Sequence, residues 1–103
     1  MNDPWSGYVA TTIIQQLGGL GPLRAMTGAK EFVCGKHWLR FKIGRNAKRV
    51  NKVKIQLDPD DTYSMEFLRV TAAKTTTKAS IDGVYADMLV PIFEAETGMY
   101  IKF

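Results

Sequence analysis

A chain of 103 residues with 46% hydrophobic and 23% charged side chains has room for one packed core and is too apolar for a disordered segment. Its apolar stretches are short and interrupted, none approaching the roughly 20 residues of a bilayer-crossing helix, so no membrane partner is expected. The net charge of +4 is mild, yet residues 24–54 hold ten basic side chains against the single acid Glu31, a net +9, while the rest carries four basic and nine acidic residues, a net −5. Such segregation creates one cationic pole, the footprint expected of a surface that meets phosphates or an acidic partner.

In chain order, Ser6 is a candidate cap for a helix over residues 7–17, where Tyr8, Val9, Thr12, Ile13, Gln16 and Leu17 recur at helical spacing before Gly18 and Gly19 stop it. Residues 18–22 read as a hinge and 23–30 as a short helix. The period then changes to two. In 38–43, Leu39, Phe41 and Ile43 alternate with Trp38, Arg40 and Lys42; in 52–57, Val53, Ile55 and Leu57 alternate with Lys52, Lys54 and Gln56. Pro59 presets φ in a turn over 58–61, which predicts a hairpin to a strand at 62–70 with Tyr63, Met65 and Phe67 inward. The threonine-rich segment 74–81 suits a wet edge strand. Asp82 is the expected cap of a last helix with the stripe Val84, Met88, Leu89, Ile92 and Phe93, kinked at Pro91 and stopped at Gly98. A short strand over 99–103 would follow.

This order predicts an α+β fold: an N-terminal helix, a four- to five-stranded antiparallel sheet of hairpins, and a C-terminal helix covering one face. The chain reads as a single domain over 1–103, with helix and hinge at 1–22, the hairpin sheet at 23–81, and the last helix and tail strand at 82–103. The other face of the sheet is expected to be wet and basic.

On that face Trp38 accompanies Arg40 and Lys42. A large aromatic beside two cations offers a π-surface to unpaired bases and charge to phosphates. The competing reading has Trp38 at the edge of the core or in a subunit contact. The connecting segment 44–49 adds Arg45, Lys48 and Arg49, and the next strand adds Lys52 and Lys54; these cations could hold phosphate, or merely solubilise a loop and a sheet face. Cys34 and His37 have C-x-x-H spacing, but the other half of a zinc site is missing, so no metal or other cofactor is expected. A turn at Gly35-Lys36 would leave Cys34 packed and inert. Asp58, Asp60 and Asp61 lack the glycine and terminal glutamate of a calcium loop, and turn chemistry accounts for them. No phosphate-binding loop, dinucleotide fingerprint or glycine-flanked serine nucleophile is present, so enzyme activity is not expected.

The segments Ala25-Met26-Thr27-Gly28-Ala29-Lys30 followed by Phe32, Arg45-Asn46-Ala47-Lys48, Tyr63 with Met65-Glu66-Phe67 and Arg69-Val70, Gly83-Val84-Tyr85-Ala86-Asp87, and Thr97-Gly98 with Tyr100 resemble a family of small proteins encoded by phages and prophages. The resemblance implies a phage or mobile-element origin and assigns no catalytic residue. Hairpins followed by a helix are also similar, at the level of fold alone, to whirly-type single-stranded DNA-binding proteins.

These readings lead to a non-enzymatic nucleic-acid-binding protein, a homodimer acting on single strands through Trp38, Arg40, Lys42, Arg45, Lys48, Arg49, Lys52 and Lys54. The alternative is an interaction factor that binds and inhibits a host enzyme or immune complex through the same face; a structural phage component is a third reading. A single cysteine agrees with a reducing compartment, and residues 1–20 lack a basic segment before an apolar run, so a cytoplasmic location is expected, the host's if the protein is phage-encoded.

Overall fold

The computed structural model describes residues 6–101. Its first helix, α1 (Ser6–Gln16), turns Ala10, Ile13 and, just beyond its end, Leu17 into the core, the three- and four-residue spacing of one helical face. The capping role expected of Ser6 rests on atoms outside the described residues. Gly18 ends the turn at φ 107°, with Ile101 Cγ2 3.3 Å from where a Cβ would stand, so only glycine fits both the backbone and the close approach.

Helix α2 (Leu20–Thr27) begins three residues earlier than the hinge reading allows and stops at Gly28. Gly28 has φ 69°, and its amide donates to the Arg24 carbonyl at 2.9 Å, a left-handed cap that rules out the expected run to Lys30. Leu23 and Thr27 form its buried face. The Gly44 amide donates to the Thr27 carbonyl at 2.8 Å, tying the helix end to a loop of the sheet.

Five strands then follow, β1 (Lys30–Cys34), β2 (Trp38–Lys42), β3 (Lys52–Leu57), β4 (Tyr63–Val70) and β5 (Thr75–Val84). They form an antiparallel sheet whose spatial order is the chain order, as short hairpin connections favour. β1 is the strand that periodicity does not reveal: it is an edge strand in which only Phe32 is even half-buried, so it has no apolar alternation to read. Cys34 is exposed there, not packed, because little covers either face of this strand among the described residues.

The alternation in β2, β3 and β4 falls as expected. Leu39, Phe41, Val53, Ile55, Met65 and Phe67 are almost fully buried, while Leu57 is half-buried. Across these strands lies Phe93, its ring centroid 6.5 Å from that of Phe41 and 6.4 Å from that of Phe67; each buried ring of this kind contributes about 1.5–3 kcal/mol. Tyr63 Oη donates to Gln16 Oε1 at 2.8 Å, joining β4 to α1. Burial raises the Tyr63 phenol above its ordinary pKa, against a smaller opposite effect of the Gln16 hydrogen bond, so the hydroxyl stays a donor.

The end of the chain departs from expectation in three ways. β5 extends to Val84, leaving Asp82 an exposed strand residue and not a cap. A 3₁₀ turn, Ala86–Met88, precedes α3 (Leu89–Thr97), whose N-cap is Met88. Pro91 therefore occupies the third helical position, where its missing N–H is one the first turn leaves unpaired anyway, and no interior kink is required. Gly98 ends α3 at φ 72°, as expected. Residues 99–101 form no strand; instead the Ile101 amide donates to Glu94 Oε2 at 3.1 Å and its side chain fills the core. Positions 102 and 103 of the expected tail strand lie outside the described residues.

Candidate functional site

Opposite the helices, strand register sets the neighbours of each polar side chain. Arg40 stands against Lys54, and Lys42 against Lys52 on one side and Lys30 on the other. Like charges directly opposite cost roughly 0.2–1 kcal/mol per pair. Among the described residues the ion pair that answers this charge is Lys42 Nζ to Glu31 Oε2, 3.6 Å and well exposed, a contact of little energetic weight. The other half of the face differs: Lys54 meets Glu66 across β4, and Ser64, Ser80 and Asp82 surround them. The face is thus divided: over β2 and β3 its charges are all cations, whereas over β4 and β5 the acids Glu66 and Asp82 enter, with the exposed Lys78 also on β5.

Trp38 lies half-buried within the cationic half. Lys54 Nζ is 5.3 Å and Arg40 Cζ 5.6 Å from its ring centroid, distances at which a cation is attracted to the π-face. Alternation along one strand predicts Arg40 and Lys42 as partners. Lys54 takes the second place because β3 brings it diagonally across from Trp38, whose direct partner is Gln56. The indole also forms a wall of an open cleft of about 620 Å³ with His37, Gln56, Asp58 and Pro59.

Two turns hold this cleft. The Gly35 amide donates to the Trp38 carbonyl at 3.0 Å, and the Leu57 amide to the His37 carbonyl at 2.7 Å. Asp58 accepts from Gln56 Nε2 at 3.0 Å and from Ser64 Oγ at 2.5 Å, and the Thr62 hydroxyl, with its amide, lowers the Asp60 pKa. These two carboxylates serve the turn, as expected. A Cβ on Gly35 would collide with Nε1 and Cε2 of the Trp38 indole, so Gly35→Ala is expected to push the indole out of its seat. The check is a red-shifted Trp38 emission in a Trp5→Phe background, with far-ultraviolet circular dichroism unchanged; unchanged emission would contradict this packing.

The β2–β3 loop is braced, not merely solvated. Asn46 Nδ2 donates to the Gly44 carbonyl at 2.9 Å and the Val50 carbonyl at 2.5 Å, and Asn46 Oδ1 accepts from the Val50 amide at 3.1 Å. Asn51 exchanges two bonds with the Val70 backbone, at 2.7 and 2.8 Å. Arg45 and Arg49 thereby come to line a polar pocket of about 440 Å³ together with Arg69. Lys48 does not line it: its Cγ lies 4.0 Å from where a Cβ on Gly98 would stand, beside the C-terminal end of α3. Periodicity placed Gln56 on the outward face but passed over Asn46, Asn51 and Arg69; the one local signal was Arg69, a charge where the apolar stripe of β4 ends.

Among the described residues, no three His, Cys, Asp or Glu side chains gather as metal ligands, and no helix is long and apolar enough to cross a membrane. No protein-family model, curated protein or solved structure matches the chain.

Proposed function

We propose that this protein binds single-stranded nucleic acid without catalysing a reaction, through Trp38, Arg40, Lys42, Lys52 and Lys54 on the sheet and Arg45 and Arg49 in the adjoining loop. The observation that carries the reading is the cross-strand pairing of like charges around a half-exposed indole. A surface chosen only for solubility would intersperse the two signs, and this one forgoes stability that a phosphate backbone would restore by neutralising it. The indole wall of the cleft adds a stacking surface that paired bases cannot use. Lys48 is left out of this site.

Origin in a phage or mobile element and residence in the host cytoplasm belong to the same proposal. So does a homodimer, which would double the cationic surface; the edges of β1 and β5, unpaired among the described residues, are where two sheets could meet, although bulges within both strands discourage indiscriminate pairing. Sedimentation tests the dimer.

Trp38 gives the test of strand preference. Trp38→Ala is expected to weaken single-strand binding by about 1–3 kcal/mol, roughly five- to a hundredfold, with a much smaller change for duplex. Trp38→Phe, which keeps a ring over Gly35, should retain part of that affinity. Equal losses for single and double strands would remove the stacking argument. Absence of binding to any nucleic acid at low salt would favour the alternative, a host-protein interaction through the same face.

A further inference from the structure

Three arginines, Arg45, Arg49 and Arg69, line the pocket at the end of the sheet, and the backbone of the loop that carries two of them is braced. Five side-chain hydrogen bonds from Asn46 and Asn51 hold the backbone of residues 44–51 against itself and against β4. The Asn51 amide donates to the Leu68 carbonyl at 2.9 Å and the Ile43 amide to the Asn51 carbonyl at 3.2 Å, so the loop is joined to the sheet on both sides. Arg69 is drawn over it, Nη1 donating to the Arg49 carbonyl at 3.4 Å. Arg49 itself has φ 60°, a conformation that a residue with a Cβ adopts only at a cost. The pocket lining contains no acid, and among the described residues no carboxylate pairs with these arginines.

We infer that this pocket binds a phosphate monoester group, and that in the proposed complex it takes the terminal phosphate of the strand lying on the sheet. The second half of the inference rests on the nucleic-acid reading; the first does not. Arginine forks match phosphate oxygens bidentately, and three of them suit the three free oxygens and the charge of nearly −2 of a monoester better than the two oxygens and single charge of a backbone diester. Position agrees with an end-binding role. Lys42 and Lys52 are the last and first residues of the strands that the loop connects, whereas Arg69 follows the outward-facing Leu68 and so belongs by parity to the other side of β4. The pocket therefore sits at the rim of the sheet, off the flat face, where a strand end can fold over but a continuous backbone would have to bend sharply.

The test compares three oligothymidylates of equal length, bearing a 5′-phosphate, a 3′-phosphate or only hydroxyl ends, with the full chain and with Arg69→Gln and Arg45→Gln. One phosphorylated end should bind roughly tenfold more tightly than the hydroxyl-ended strand, and either substitution should abolish that preference. Equal affinity for all three strands in the unmodified protein, or a preference that survives both substitutions, would overturn strand-end recognition. Inorganic phosphate is the independent probe. Up to roughly 10 mM it should shift the amide resonances of Asn46, Arg49 and Val50 in the unmodified protein but not in Arg69→Gln. Such shifts without binding of any oligonucleotide would support the monoester pocket and reject the nucleic-acid reading; no shifts would overturn the pocket itself.

Discussion

Ile55→Asp should abolish cooperative folding. Ile55 is fully buried on β3, the central strand, with Leu39 on one side and Met65 on the other. An aspartate there must either ionise without a partner or take up a proton at neutral pH, and it also replaces apolar volume by a void. Buried unpaired charge and cavity formation are among the few mechanisms that exceed about 4 kcal/mol, a large share of the roughly 5–15 kcal/mol that holds a domain together. Lys54→Asp, one residue away on the opposite face, is the control. It places an acid opposite Arg40 on one side and Glu66 on the other, opposing changes of roughly 0.2–1 kcal/mol each, and should leave the protein folded. Circular dichroism and thermal melting separate the two, and a cooperative transition in Ile55→Asp near that of the unmodified chain would reject the assignment of faces.

The double substitution Arg40→Glu with Lys52→Glu is expected to move stability and binding in opposite directions. Each reversal converts a like-charge pair into an attractive one, with Lys54 facing a carboxylate at position 40 and Lys42 facing one at position 52, for roughly 0.2–1 kcal/mol each. Loss of the Arg40 contact with Trp38 offsets part of that gain, by about 0.5–1 kcal/mol. The melting temperature should therefore hold or rise slightly. Binding to a single strand should fall by at least about 25-fold near 0.1 M salt, since each neutralised phosphate contributes a log–log slope near −0.7, and the slope itself should shrink by about 1.4. Joint loss of stability and binding would mean that these residues serve the fold, and unchanged affinity would place nucleic-acid binding elsewhere or nowhere.

The central strands were readable because their evidence is local. Val53, Ile55, Lys52 and Lys54 announce by parity alone which side of β3 is buried, and the turn at Asp58 and Pro59 sets the register of the hairpin that follows. The glycine stops at Gly18 and Gly98 were equally legible, since a left-handed turn needs a residue without a Cβ. Edge strand β1 was not, because a strand buried on neither face has no alternation. Pro91 and Asp82 were misplaced for a related reason. Where β5 hands over to α3, the period changes over a few residues, and a Gly-Val-Tyr segment fits the end of a strand as well as the start of a helix.

Composition and periodicity by themselves determined the α+β class, the antiparallel hairpins, the buried face of each inner strand and the cationic segment between residues 24 and 54. Which cations meet was decided only by tertiary structure. Lys54 reaches Trp38 across a strand boundary, Lys48 turns away to the end of α3, and Arg69 arrives from 20 residues downstream to join Arg49. The reason is physical: alternation reports the face on which a side chain lies, a property of its own strand, whereas its neighbours on that face depend on register, bulges and side-chain braces such as Asn46 and Asn51, which exist only once separate segments have paired.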